Sequence, residues 1–180
     1  PRKTVGYIVT EGILKHKLAA NRREALDIAK EMLERCGIPA NSVTKYPHEF
    51  SGGQRQRIGI ARSLVLQPSF IIGDEPLAAL DASIQSQVLT LLQELVGQMN
   101  LTTLFISHDL GVVKYFCDRI AVMYLGSFVE IGTSDQIFNN PKHPYTKALI
   151  SAIPASMPGK RGKRILLAGD IPSPANPPKG

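Results

Sequence analysis

FSGGQRQRIGIARSLVLQPSFIIGDEP, residues 50–76, is the stretch on which the reading of this chain turns. It opens on a small turn, Ser51-Gly52-Gly53. It ends on an apolar run that stops at two acids, Asp74 and Glu75. Between them Ile58, Ala61, Leu64 and Val65 recur at helical spacing until Pro68, so the spacing predicts a helix after the turn. Residues 70–73 (FIIG) are too few for a helix and read as a short buried strand.

Each end of the stretch has two readings. Ser51 can cap the following helix, while Gly52 and Gly53 leave backbone N–H groups open to a ligand at a helix N-terminus, where anions bind. The same residues also make an ordinary capped helix start. Asp74 and Glu75 stand at the carboxyl end of the strand, the edge where open α/β sheets bind ligands. Pointing both carboxylates into a core would carry a heavy desolvation cost. One use is Asp74 on a Mg²⁺ through water, with Glu75 aimed at an attacking water; the other is an acidic turn before Pro76.

Upstream, Val5, Ile8, Val9 and Ile13 share one helical face. A second helix starts at an Asn21 cap with Glu24 three residues on. It carries Leu26, Ala29, Met32, Leu33 and Cys36 on one face and stops at Gly37 and Pro39. Residues 1–47 therefore read as helical. Downstream, Ile84, Val88, Leu91, Leu92, Leu95 and Met99 mark a long amphipathic helix that Asp81 can cap. Residues 102–107 (TTLFIS) and 119–124 (RIAVMY) read as strands around a helix over 110–117. Strands alternating with helices predict a parallel sheet covered on both faces. Leu125-Gly126-Ser127 permits a hairpin into residues 128–131. Beyond Pro154, proline and glycine dominate and no regular element is predicted. His108 follows the second strand at the ligand edge, where an imidazole can touch a terminal phosphate or serve only structure.

The composition is that of a globular domain, 43% hydrophobic and 20% charged. No apolar run approaches the roughly 18 residues of a membrane span, and PRKTVGYIVTEG does not read as a signal peptide. Cys36 and Cys117 form neither a metal spacing nor a disulfide framework, as in a reducing compartment. The net charge of +6 lies entirely in residues 142–180, which hold seven basic residues and one acid. A basic tail can touch nucleic acid or acidic lipid, or be a solvated linker. GKRGKR (159–164) has no interleaved aromatics, so a base-stacking platform has no support.

Taken in order, these elements resemble the ATP-binding-cassette (ABC) ATPases. FSGGQ (50–54) is similar to that family's signature motif, FIIGDE (70–75) to its Walker B strand, AALD (78–81) to its D-loop and SHD (107–109) to its switch histidine. The resemblance implies a partial P-loop NTPase core of α/β class, a parallel sheet with flanking helices, plus a helical subdomain. It implies ATP and Mg²⁺ as cofactors. Ser51, Gly52, Gly53 and Gln54 would bind ATP held by a second, head-to-tail ATPase chain. Asp74 (Mg²⁺, through water), Glu75 and His108 would act on ATP in their own chain, with Asp81 in the D-loop. NPKHPYTKALISAIP (140–154), with His143, Pro144 and Tyr145, and IPSPANPPKG (171–180) resemble the irregular C-terminal extension of the oligopeptide/dipeptide importers.

On this resemblance, residues 1–49 form the helical subdomain, 50–140 the ATPase core and 141–180 the extension. The implied function is the ATP-binding subunit of an importer of di- or oligopeptides, peripheral on the cytoplasmic face of the inner membrane. Its implied partners are transmembrane permeases and, indirectly, a substrate-binding protein, and not nucleic acid. Two rival functions are a nucleic-acid-processing ABC ATPase, which would need a coiled-coil insertion or stacking surface, and an inactive docking module. A GxxxxGK[ST] P-loop is missing, since the Gly-Lys pairs at 159–160 and 162–163 are each followed by Arg. The expectation is a cassette cut after its glutamine loop, with a sheet edge exposed and no ATPase activity of its own. Leu77 and Ala78 stand where Thr and Ser are common in the family.

Overall fold

The computed structural model describes residues 2–153 and residue 165. The basic run 159–164 and the proline-rich segment 171–180 lie outside the described residues. The chain forms two compact units, residues 1–107 and 108–180.

The first unit begins with three helices, α1 (Val5–Lys15), α2 (Arg22–Arg35) and α3 (Gly52–Leu64), with short 3-10 turns at Ala40–Thr44 and Pro47–Glu49. Their apolar stripes face one another. Val5, Val9 and Ile13 of α1, Ala29 and Leu33 of α2, and Ala61 and Leu64 of α3 have no exposed surface. Each large aliphatic buried in this way contributes about 1.5–3 kcal/mol. The caps follow the residues. Asn21 Oδ1 accepts from Glu24 N at 3.0 Å, and Glu24 Oε2 accepts from Ala20 N at 2.7 Å. At the far end of α2, Gly37 takes φ +72°, and Ile38 N donates to Leu33 O at 2.9 Å, closing the helix with a left-handed residue. Cys36 sits there without exposure; burial pushes its thiol up to about 11, against the opposing pull of Arg35 and Arg57.

Strand β1 (Phe70–Asp74) and strand β2 (Thr102–Ile106) pair in parallel, Phe70 opposite Thr102 through Asp74 opposite Ile106. Helix α4 (Ala82–Met99) makes the crossover. The parallel pairing is as expected, but the burial on both faces is not. Phe70 is 48% exposed, Ile72 63%, Leu104 48% and Ile106 45%, while Ile71, Thr103 and Phe105 between them are half-buried. Among the described residues these two strands have no further hydrogen-bonded neighbour, and the face that carries Phe70, Ile72, Leu104 and Ile106 is exposed.

The second unit holds helix α5 (Leu110–Phe116), strands β3 (Arg119–Tyr124) and β4 (Ser127–Thr133), and helices α6 (Ser134–Asn139) and α7 (Pro144–Ser151). Sequence alternation put residues 119–124 in the parallel sheet. The hairpin expected at Leu125-Gly126-Ser127 forms, pairing them with β4, antiparallel, in a sheet of two strands; among the described residues they have no parallel partner. A bulge between Val122 and Met123 shifts the register. The turn is a two-residue connection with both central residues left-handed, Leu125 at φ 48° and Gly126 at φ 78°, the geometry that matches strand twist. Val113, Ile120 and Ile137 make the core of this unit, with Cys117, Val122 and Phe138 around them. Burial also raises the Cys117 thiol, with Asp118 adding to it. Among the described residues no helix is long and apolar enough to cross a membrane.

Candidate functional site

The small turn at 51–54 is a reciprocal cap. Ser51 Oγ accepts from Gln54 N at 3.3 Å, and Gln54 Oε1 accepts from Ser51 N at 3.0 Å. Gln54 therefore turns its carbonyl back onto the chain and stiffens the turn. Ser51 and Gly52 are exposed, whereas Gly53 is buried. The N–H groups of the first turn of α3 have no partner within the helix, and the helix dipole adds partial positive charge there. An exposed serine on such a turn suits an anion.

The acidic edge is built by the sheet. Asp74 ends β1, exposed, at the carboxyl edge. Glu75 N donates to Ile106 O at 2.9 Å, continuing the pairing by one residue, and Glu75 itself is left-handed at φ 45°. That conformation costs a non-glycine residue roughly 1–2 kcal/mol. Gly73 leaves room for the return of the chain: a Cβ there would stand 3.2 Å from Pro76 Cγ. Asp74 offers one exposed carboxylate, which fits Mg²⁺, a cation held by one or two carboxylates together with substrate phosphates and water. Among the described residues there is no group of three or more potential metal ligands.

From Glu75 the chain makes a tight return to α4. Ala78 N donates to Glu75 O at 3.2 Å and Gln85 Nε2 to Leu77 O at 3.0 Å. Leu77, one of the two departures from the family pattern, is buried and anchors this return. Asp81 is a helix cap, its Oδ1 accepting from Ile84 N at 3.0 Å. The start of α4 also meets the start of α3: a Cβ on Gly52 would lie 3.6 Å from Leu80 Cδ2, and one on Gly53 would overlap Ile84 Cγ2. The signature-like turn and the D-loop-like segment are thus neighbours, joined by Leu80 and by Ile84, which spacing placed on the apolar face of α4 without showing what it meets.

His108 is exposed, two residues beyond the end of β2, and is the first residue of the second unit. Asp109 next to it caps α5, its Oδ1 accepting from Gly111 N at 2.8 Å and Val112 N at 3.2 Å.

In the second unit the His143-Pro144-Tyr145 element begins α7. His143 Nδ1 accepts from Tyr145 N at 3.1 Å, Pro144 takes the first helical position, and the Tyr145 ring lies against Tyr124 with centroids 4.2 Å apart. Glu130 of β4 receives the backbone of this element. Partial burial pushes its carboxyl up, but the Thr146 hydroxyl, the amides of Lys142 and His143 and the charge of His143 outweigh that and hold it below the usual range. The Thr146 hydroxyl is buried and falls outside ordinary hydrogen-bond geometry, so the amides of Lys142 and His143 are the firm partners of the Glu130 carboxylate.

A family model described as "ABC transporter" matches residues 1–78, and one described as "Oligopeptide/dipeptide transporter, C-terminal region" matches residues 129–180. A Brucella ovis protein whose name describes peptide import ATP binding is 54% identical over 180 residues, all of this chain and 56% of that protein. The oligopeptide transport ATP-binding protein OppF of Salmonella typhimurium is 53% identical over 182 residues, covering all of this chain and 54% of its own length. The chain thus spans about half the length of the curated relatives it matches. Among solved structures, cbiO1 from Clostridium perfringens, part of the ABC transporter complex cbiONQ, aligns with a TM-score of 0.67 at 30% identity, over 77% of this chain and 54% of that one. Motif order, parallel βαβ geometry and these likenesses agree: residues 1–78 are similar to ABC transporter ATP-binding proteins, and residues 129–180 to the C-terminal region of the oligopeptide/dipeptide transporters.

Proposed function

We propose that this chain is part of the ATP-binding subunit of an ABC importer and that the complete subunit couples ATP hydrolysis to uptake of di- or oligopeptides. The observation that carries the reading is the pairing, in one compact unit, of an exposed capped Ser51-Gly52 turn with an exposed Asp74-Glu75 sheet edge. The relatives' names, which speak of peptide import and oligopeptide transport, support the same reading. Residues 1–49 serve as the helical subdomain, 50–140 as ATPase core and 141–180 as the extension.

In this reading Glu75 orients and deprotonates the attacking water, and His108 touches the terminal phosphate. Asp74 would hold Mg²⁺, which when bound offsets charge on the β- and γ-phosphates. Phosphoryl transfer is mostly positioning and charge stabilisation, so a rigid strand end is a suitable mount for Glu75. Ser51 and the first amides of α3 complete the site of a second ATPase subunit, and the reverse holds for its turn. Permease subunits hold the pair at the cytoplasmic face of the inner membrane, and a substrate-binding protein delivers cargo from the other side.

The test is nucleotide trapping in a dimer with one mutated chain and the two sites assayed separately. Ser51→Arg fills the turn and should silence the site whose P-loop belongs to the partner. Glu75→Gln should silence the site whose P-loop belongs to this subunit. Losing one well-placed donor costs roughly 10²–10³ in rate. If both substitutions silenced the same site, the reading of Ser51 as acting on the partner's nucleotide would fail.

A further inference from the structure

Glu75 is exposed at the sheet edge and left-handed at φ 45°. A non-glycine residue persists in that region only where its surroundings fix it. On one side the fixing bond runs from Glu75 N to Ile106 O of β2. On the other side lies the return, residues 76–80, which leads to the Asp81 cap of α4. The return closes on itself with two backbone bonds, Ala78 N to Glu75 O and Leu80 N to Leu77 O, each 3.2 Å. Both lie at the long end of the ordinary N–H···O range. Ala78 and Ala79 are exposed and add little packing. Two further anchors meet at Leu77. Its side chain is buried, and its carbonyl accepts a second, shorter bond from Gln85 Nε2 at 3.0 Å.

We propose that Gln85 is a positioning residue for Glu75: its amide pins the middle of the return, and the pinned return sets Glu75 at the sheet edge. Gln85 is well placed to do this. It stands in the first turns of α4, its own N–H bonded to Asp81 O at 2.8 Å, and its side chain is half-buried. A carbonyl can only accept, so the position requires a side-chain donor long enough to reach back eight residues. The start of α4 does not need Gln85 for its own sake, because Asp81 Oδ1 already caps it at Ile84 N. The Gln85 bond leads out of the helix and into the segment that carries Glu75.

This inference rests on the proposed role of Glu75, and the experiment separates the two. The complete subunit, assembled with its partner, is made as Gln85→Met, Glu75→Gln and the two combined, with Gln87→Met alongside. Methionine keeps the length of the side chain and removes the donor; Gln87 is an exposed glutamine on the same helix. Gln85→Leu repeats the comparison if the methionine packs poorly. ATP turnover, KM and Tm are read for each. Gln85→Met should cut kcat by about 10- to 10²-fold, the scale of a misplacement near 1 Å. KM should stay within about threefold of the parent, because the return does not hold the nucleotide. Gln87→Met should leave both unchanged. Added to Glu75→Gln, Gln85→Met should lower the residual turnover no further, since it acts through a group already disabled. Unchanged kcat in both Gln85 variants overturns the proposal. A full further loss in the combined variant overturns it too, because Gln85 would then act without Glu75. If Glu75→Gln alone keeps turnover within about tenfold of the parent, the reading of Glu75 as base fails on its own. Amide exchange at residues 77–80 in Gln85→Met then decides: faster exchange upholds Gln85 as the holder of the return, and unchanged exchange overturns it.

Discussion

Glu130 and His143 are joined through the backbone: one carboxylate oxygen of Glu130 accepts from His143 N at 3.0 Å, while the other accepts from Lys142 N at 2.7 Å. One strand side chain therefore ties down the peptide that leads into α7. Because hydrogen bonds hold the Glu130 carboxyl below its usual range, this stabilisation is present above the ordinary carboxylate pKa. It is lost as the pH falls from the ordinary glutamate range through the lower folded value. Glu130→Ala should speed amide exchange across residues 142–151 and cost roughly 1–2 kcal/mol, less than a fully buried charged bond would. Unchanged exchange would show that the ring contact and helix cap suffice.

Glu75→Gln in the complete subunit should nearly abolish hydrolysis while ATP still binds. The amide keeps the shape but cannot take the proton. Steady-state turnover and nucleotide binding measured together check this; a turnover within about tenfold of the parent, ~1.4 kcal/mol in barrier, would remove Glu75 from the role of base.

Glu75→Asn addresses the backbone of the same residue. Asparagine tolerates the left-handed region that Glu75 occupies at φ 45°, so this variant should be more stable by about 0.5–1 kcal/mol although inactive. Thermal or urea unfolding reads it. A loss of stability would mean that the glutamate's own interactions outweigh its conformational cost.

Leu125→Asn should stabilise the β3–β4 hairpin by about 1 kcal/mol, because it converts the turn into the favoured Asn-Gly pair without moving it. Gly126→Ala should do the opposite, since an alanine at φ 78° is strained. Urea midpoints of the pair give the comparison.

The 180-residue chain by itself should show only background ATP turnover, because no P-loop occurs in it to hold the β- and γ-phosphates. Turnover well above background in pure material would contradict this.

These variants also mark where the sequence was transparent. The helices of the first unit were legible because their apolar positions repeat with the helical period, and Asn21, Ser51 and Asp81 cap as their side chains suggest. The hairpin was legible from Gly126, although a leucine beside it in the left-handed region was not. Periodicity reports which face is apolar but not what that face meets. It therefore counted residues 119–124 with the parallel sheet as well as with the hairpin, expected residues 70–73 to be buried, and passed over α6, which is held mainly by its cap and Ile137. Ile84 against Gly53 and Glu130 against His143 were invisible for the same reason. Each joins elements distant along the chain, and neither residue stands out by type. The acids and glycines of the candidate site stood out because their chemistry is unusual at a strand end and a helix start.

The burial of Cys36 has a practical corollary. With its thiol pushed up to about 11, and that of Cys117 also raised, little thiolate forms on either near neutral pH. A cysteine introduced at exposed Ser51 would therefore outpace both native thiols toward a maleimide. A fluorophore could then be attached to the Ser51 turn with both native cysteines kept, and a spectral change on adding ATP to the assembled complex is what the proposed function expects of it.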